Sequence, residues 1–85
     1  MNTIYWQPKA LKQVRKLPKS DRLAISRAVD DELMDLSNAR NVKKLADHPY
    51  AYRLRVGNWR VFFEFDGAIR IVTVEEVRKR DEQTY

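Results

Sequence analysis

Between residues 52 and 66 the chain reads YRLRVGNWRVFFEFD, two alternating runs on either side of Gly57-Asn58. Alternation with period two marks a half-buried strand, and Gly-Asn suits the positive φ angles of a two-residue hairpin turn. With Val56 and Trp59 closing the turn, Arg55 lies opposite Arg60, Leu54 opposite Val61 and Arg53 opposite Phe62. Leu54, Val56, Trp59, Val61, Phe63 and Phe65 then share one face as a core wall, with Arg53, Arg55 and Arg60 on the other. Like charges opposed across a sheet repel, so this patch points to an anion. The alternative is a solvated face, which arginines tolerate because the guanidinium is weakly hydrated and stacks.

The remaining periodicities supply the other elements. Ile4 to Gln7 is a short aromatic-rich run ended by Pro8, read as a strand at a sheet edge. Pro8 opens a helix in which Ala10, Leu11, Val14 and Leu17 recur at helical spacing, stopping before Pro18. Ser20 is expected to cap a longer second helix with Asp21 in its first turn. Its apolar stripe is Leu23, Ile25, Ala28, Val29, Leu33 and Leu36, and it is expected to end near Ser37-Asn38. Asp30, Asp31 and Glu32 are consecutive on that helix and diverge around it, so they do not make a metal site. Residues 41–49 read as a connecting loop anchored by Val42 and Leu45 and carrying Lys43, Lys44 and His48. After the Asp66-Gly67 turn, AIRIVTVEEV reads as an interior strand covered on both faces, its register open because one extra turn residue flips every side chain. The sum is a single α+β domain over residues 1–85: β-α-α followed by an antiparallel β-meander, two helices packed on one face of a small sheet, the arginines on the uncovered face.

Charge sharpens this picture. Lys and Arg number 17 against 12 Asp and Glu, a net charge of +5, and the chain has no cysteine. Residues 1–22 and 37–60 each carry +5, separated by residues 23–36 at −3, and residues 61–85 carry −2. Two basic blocks divided by an acidic one are what a positively charged groove for nucleic acid or an acidic protein needs. The missing cysteines exclude disulfide staples and thiolate metal sites and fit a cytoplasmic location. No apolar run is long enough for a signal peptide or a membrane span. The tail brings Arg78, Lys79 and Arg80 directly after the last strand, within reach of the edge that holds Arg53 and Arg55.

Together, ALKQVRKLP (residues 10–18), KKL (43–45), YRLRVGNWRVFFEF (52–65) and RKRD (78–81) before a terminal tyrosine resemble the RelE/ParE superfamily of toxins from bacterial type II toxin–antitoxin modules. The likeness covers nearly the whole chain, and the hairpin block is its specific part. It implies the β-α-α-meander fold and a cognate antitoxin that wraps the toxin. RelE-type members enter the ribosomal A site and cut mRNA there; ParE-type members share the fold and poison DNA gyrase. Carried over by position, the resemblance assigns catalytic roles to Arg53, Arg55, Arg60, Arg80 and Tyr85, with Arg78 a rival of Arg80. Lys43, Lys44, Arg78 and Lys79 join them as RNA-binding residues. The RelE archetype has lysines where Arg53 and Arg55 stand, and the Arg80–Tyr85 spacing departs from common family patterns.

In RelE-type cleavage the ribose 2′-OH attacks the adjacent phosphate, giving a 2′,3′-cyclic phosphate and a free 5′-OH. Arginine forks suit the charge that builds on phosphorus. Arginine cannot serve as base, because it keeps its proton in proteins. The base is then sought among His48, Glu64, Asp81, Tyr85 and the ribosome itself, with Tyr85 or Arg80 for the leaving group. No metal or cofactor is expected. Little cleavage of free RNA is expected, because the chain lacks an evident complete acid–base pair, and the antitoxin is expected to place acidic side chains opposite Arg53, Arg55 and Arg60. A plain nucleic-acid-binding domain without catalysis is the remaining alternative.

Overall fold

The arginine hairpin forms as its alternation dictates. In a computed structural model, which describes residues 1–80, β3 (Tyr52–Val56) pairs antiparallel with β4 (Trp59–Asp66), Val56 opposite Trp59 and Arg55 opposite Arg60. Only Gly57 of the two turn residues takes positive φ, at 55°, the glycine-first pattern of a type II′ turn. Leu54, Val61 and Phe63 are fully buried, and Val56, Trp59 and Phe65 pack against them.

Three more strands complete a mixed sheet of order β1-β5-β4-β3-β2. The edge strand β1 (Thr3–Trp6) runs parallel to β5 (Ile71–Lys79), and β2 to β5 form the antiparallel meander. The other edge strand, β2 (Val42–Lys44), lies within residues expected to be loop. A three-residue edge strand carrying two lysines has no alternation long enough to read, and its partner β3 supplies the pairing.

Helix α1 (Pro8–Arg15) and helix α2 (Lys19–Leu33) cover one face, contributing Ala10, Ile25, Val29 and Leu33 to the core. Two expectations for α2 change. Ser20 lies inside the helix, and Pro18 occupies the N-cap without a side-chain hydrogen bond. The helix also stops at Leu33, and a separate 3₁₀ turn follows at Leu36–Asn38, where Asp35 accepts from the Ser37 amide at 3.0 Å. Asp35 captures that amide because a short carboxylate competes well for local backbone donors. Leu23 falls off the buried stripe and is 43% exposed. No helix among the described residues is long and apolar enough to cross a membrane.

The decisive irregularity is in β5. Phe62 pairs with Glu76 but Phe63 pairs with Val74, so Glu75 is an extra residue, a β-bulge. Before it, Val72 and Val74 point to the helices; after it Val77 does, although alternation alone would turn Val77 away. The bulge therefore swings Glu76 and Arg78 to the arginine face. The strand is interior, yet it is not covered on both sides: Ile71, Thr73 and Glu75 are only half-buried. Helix α1 holds the bulge in place. The Val74 carbonyl accepts from the Gln7 amide at 2.9 Å, and Gln13 Oε1 accepts from the Val77 amide at 2.7 Å.

Candidate nucleic-acid interface

Two rows of side chains cross the sheet on the face away from the helices. The first is Arg55–Arg60–Arg78, one residue from each of β3, β4 and β5. The Arg55 amide turns away from β4 and donates to the Asn41 carbonyl at 3.0 Å. Arg55 and Arg60 therefore form a non-hydrogen-bonded pair, the closer of the two antiparallel spacings at about 4.5 Å between Cα atoms. The second row is Lys43–Arg53–Phe62–Glu76. Arg80 stands past the end of β5, its amide donating to the Asn58 carbonyl at the hairpin tip.

The sheet thus brings together Lys43, Arg53, Arg55, Arg60 and Arg78, with Arg80 at their margin. It does not bring in Lys44 or Lys79. Lys44 pairs with Tyr52 and Lys79 with Trp59, both residues of the helix-facing wall, so alternation sends the two lysines the other way. Asp81 and Tyr85 lie outside the described residues.

The lower half of this face is roofed by the segment between β2 and β3. Leu45 donates its amide to the Ala51 carbonyl at 2.8 Å, and Glu64 Oε2 accepts from the Ala51 amide at 3.0 Å. The segment turns at Asp47, whose φ is 53°. Beneath it His48 stacks on Phe62 with centroids 5.0 Å apart, and Tyr50 tilts against the same ring at 5.6 Å. Phe62 is consequently only 4% exposed on the side of the sheet that carries no helix.

Between roof and arginine row opens a cleft of about 380 Å³ lined by Lys9, His48, Tyr50, Glu76 and Arg78, among others. Glu76 is its hub. One carboxylate oxygen accepts from Tyr50 Oη at 2.7 Å and Lys9 Nζ at 3.3 Å, and the other from Arg78 Nε. Burial pushes the Glu76 pKa up, but hydrogen bonds from Arg78, Tyr50 and Lys9 outweigh it and hold the carboxyl below its ordinary range. The same hydrogen bond, with burial, pushes the Tyr50 hydroxyl up to about 12.

These partners decide what each group can do. Glu64 is committed to the loop backbone, and Glu76 to three donors. His48 Nδ1 accepts from the Tyr50 amide at 3.1 Å. An amide can only donate, so neutral His48 carries its proton on Nε2, as a donor rather than a base. Among the described residues no three side chains converge as a metal site. The arrangement stabilises negative charge well, and Glu64, Glu76 and His48 Nδ1 are each taken up by another donor.

Tyr50, Glu76, Lys9 and Phe62 escape a reading of the sequence. Lys9 and Tyr50 are 67 and 26 residues from Glu76, and only the break in alternation at Glu75-Glu76 signals the bulge that unites them.

Comparison with known proteins adds three findings. The model of the family described as "ParE toxin of type II toxin-antitoxin system, parDE" matches residues 4–84. No curated protein sequence matches significantly. Among solved structures the fold is similar to that of the archaeal RelE–RelB complex from Pyrococcus horikoshii OT3, with TM-score 0.80, 17% identity, and coverage of 96% of this chain and 98% of that one. It is also similar to the toxin–antitoxin complex RelBE2 from Mycobacterium tuberculosis, with TM-score 0.78, 22% identity, and coverage of 93% and 98%. The isolated E. coli RelE toxin gives TM-score 0.78 at 21% identity, covering 98% of this chain and 88% of that one.

Proposed function

Since the chain belongs to the ParE toxin family of type II toxin–antitoxin systems, within the RelE/ParE superfamily, we propose that it arrests growth by cutting mRNA on the ribosome. The observation that carries this reading is the Arg55–Arg60–Arg78 row. Three guanidiniums on adjacent strands present donors to the oxygens of a phosphodiester and, more strongly, to the more highly charged transition state. Arg60, central in the row, is assigned to the transition-state charge. Arg55 and Arg78 flank it, Arg78 being fixed through Glu76. His48, with its proton on Nε2, fits a hydrogen bond that steadies the departing 5′-oxygen, which takes its proton from solvent. Glu64 and Glu76 are taken up by other donors, so the base is assigned to the ribosome, Asp81 or Tyr85, and free RNA is a poor substrate.

A cognate antitoxin belongs to this reading. The Pyrococcus and Mycobacterium relatives are complexes of a toxin with its antitoxin. An antitoxin segment with acidic side chains laid over the arginine row would neutralise the toxin by occupying the phosphate's place.

Induction of the chain in a growing culture, with 5′ ends of transcripts mapped, tests the proposal. Wild type should arrest growth and place cuts in codon frame within translated mRNA; Arg60→Ala should do neither. A second reading, a gyrase poison without chemistry of its own, draws on the commitment of Glu64, Glu76 and His48 Nδ1 to other donors. Growth arrest with intact transcripts and broken DNA would establish it in place of the first.

A further inference from the structure

At the β2 edge, beside the arginine row, a second cleft of about 350 Å³ is lined by Arg40, Asn41, Val42, Lys43, Arg53 and Arg55. Four of its six lining residues are cationic, and no acidic residue of the described chain is among them. Two observations mark it as built for an anion. Lys43 stands directly opposite Arg53 across the β2–β3 pair, a like-charge juxtaposition that destabilises the sheet unless something negative lies between. Arg53 Nε is buried and has no hydrogen-bond partner among the described residues. A buried guanidinium N–H without an acceptor is rare and costly.

The backbone of the cleft is fastened by Glu32, whose charge the Arg40 guanidinium also feels. Glu32 is the obvious carboxylate nearby, but its oxygens are taken up by backbone and amide. Oε1 accepts from the Arg40 amide at 2.9 Å and the Asn41 amide at 3.0 Å, and Oε2 from Asn41 Nδ2 at 2.7 Å. The Asn41 carbonyl in turn receives the Arg55 amide at 3.0 Å. The last turn of α2, the approach to β2, and β3 are thereby locked together.

We propose that this cleft is a second phosphate-binding site, in which Arg40, Lys43 and Arg53 hold a phosphodiester of the strand whose scissile phosphate sits in the Arg55–Arg60–Arg78 row. Lys43–Arg53 and Arg60–Arg78 are centred two strands apart, about 10 Å at the usual strand spacing, so an extended single strand can engage both. Arg53 is thereby a binding residue rather than a participant in bond breaking, and Arg40 enters the site although its sequence position singles out nothing. The identity of the ligand as RNA rests on the proposed function; the affinity for phosphate does not.

The test follows the Arg53 Nε–H signal in ¹⁵N-edited spectra of the purified chain during titration with inorganic phosphate. The signal should shift saturably, and Arg40→Ala should weaken the apparent affinity about tenfold, with Arg40→Lys restoring much of it. Arg40 is exposed and its fold-holding contacts are made by its backbone, so the variant should keep wild-type spectra elsewhere. With a short single-stranded oligoribonucleotide, Arg40→Ala should lower the slope of log affinity against log salt by about one, as expected for one lost phosphate contact. An Arg53 signal indifferent to phosphate would overturn the site. Displacement by a polyglutamate peptide but not by phosphate would overturn it in favour of an acidic protein segment. If phosphate binds here while induced cells show no mRNA cuts, the second site stands and the nuclease reading falls.

Discussion

Arg78 Nε donates to the carboxylate of Glu76, two residues earlier on the same strand, and Glu76 is itself almost fully buried. The pair lies just past a bulge, and Lys9 and Tyr50 complete it from α1 and from the loop roof. One carboxylate therefore joins helix, loop and arginine row.

Glu76→Gln should cost about 1–2 kcal/mol, modest for a buried carboxylate because Lys9 and Arg78 are 60% and 40% exposed and can turn to solvent. The pH dependence follows from the direction of the shift. Hydrogen bonds from Arg78, Tyr50 and Lys9 hold Glu76 below the ordinary glutamate range in the fold, so its contribution is present above the unfolded value and is lost as pH falls through the folded one. Urea midpoints of wild type and Glu76→Gln should differ by a constant amount from pH 7 to 5 and converge in stronger acid. A gap that persisted unchanged at pH 2 would show that the carboxylate charge is not what matters.

Tyr50 gives the mirror case in alkali. Its hydroxyl, raised to about 12 by donating to Glu76, favours the fold fully below an unfolded value near 10 and loses that contribution as pH rises from there through 12. Tyr50→Phe should cost about 1 kcal/mol at pH 7. In a spectrophotometric titration it should delete a tyrosine step near pH 12; survival of that step would disprove the assignment.

Gly57 is required by its backbone, not by crowding. A Cβ built there meets nothing within 4 Å, yet φ is 55°. Gly57→Ala should cost about 1 kcal/mol in thermal or urea unfolding, and Gly57→Asn less, since Asn tolerates the left-handed region. Equal losses for both would locate the requirement elsewhere.

The contrast between that turn and the far strand shows what the sequence can reveal. The hairpin register, its core wall and its arginine face follow from adjacent alternating residues, because pairing across a two-residue turn is local. The order of the helices and of the other strands is equally legible from period and from Pro8 and Pro18. The register of β5 is not, since a bulge at Glu75 is stabilised by Gln7 and Gln13 from a distant helix. Strand β2 exists only because β3 is beside it. The Glu76 cluster and the Arg40 cleft are assembled by such non-local pairings, so they appear only in three dimensions.

Glu64, once a candidate base, separates structure from chemistry. Its Oε2 accepts from the Ala51 amide, so Glu64→Gln, which keeps an acceptor oxygen, should lose less than about 1 kcal/mol of stability. Cleavage on translating ribosomes should stay within a fewfold of wild type. A loss of a hundredfold or more, at unchanged stability, would restore Glu64 as the proton acceptor.

The bulge itself should be the link between helix α1 and activity. Gln13 Oε1 is the acceptor for the Val77 amide, which the bulge would otherwise leave without one on that side. Gln13→Leu keeps comparable bulk and removes the acceptor, so it should cost about 1–3 kcal/mol as an unsatisfied buried donor. The functional consequence should be larger than this loss alone. Without the bulge, β5 would return to strict alternation, pointing Arg78 toward the helices and Val77 toward solvent. Arrest by Gln13→Leu should therefore weaken in parallel with Arg78→Ala, although Gln13 lies on α1, away from the arginine row. Gln13→Glu, which retains an acceptor for the amide, should recover both stability and arrest. If Gln13→Leu destabilises the chain and leaves arrest untouched, the bulge serves the core alone and the aim of Arg78 is set by Glu76 without it.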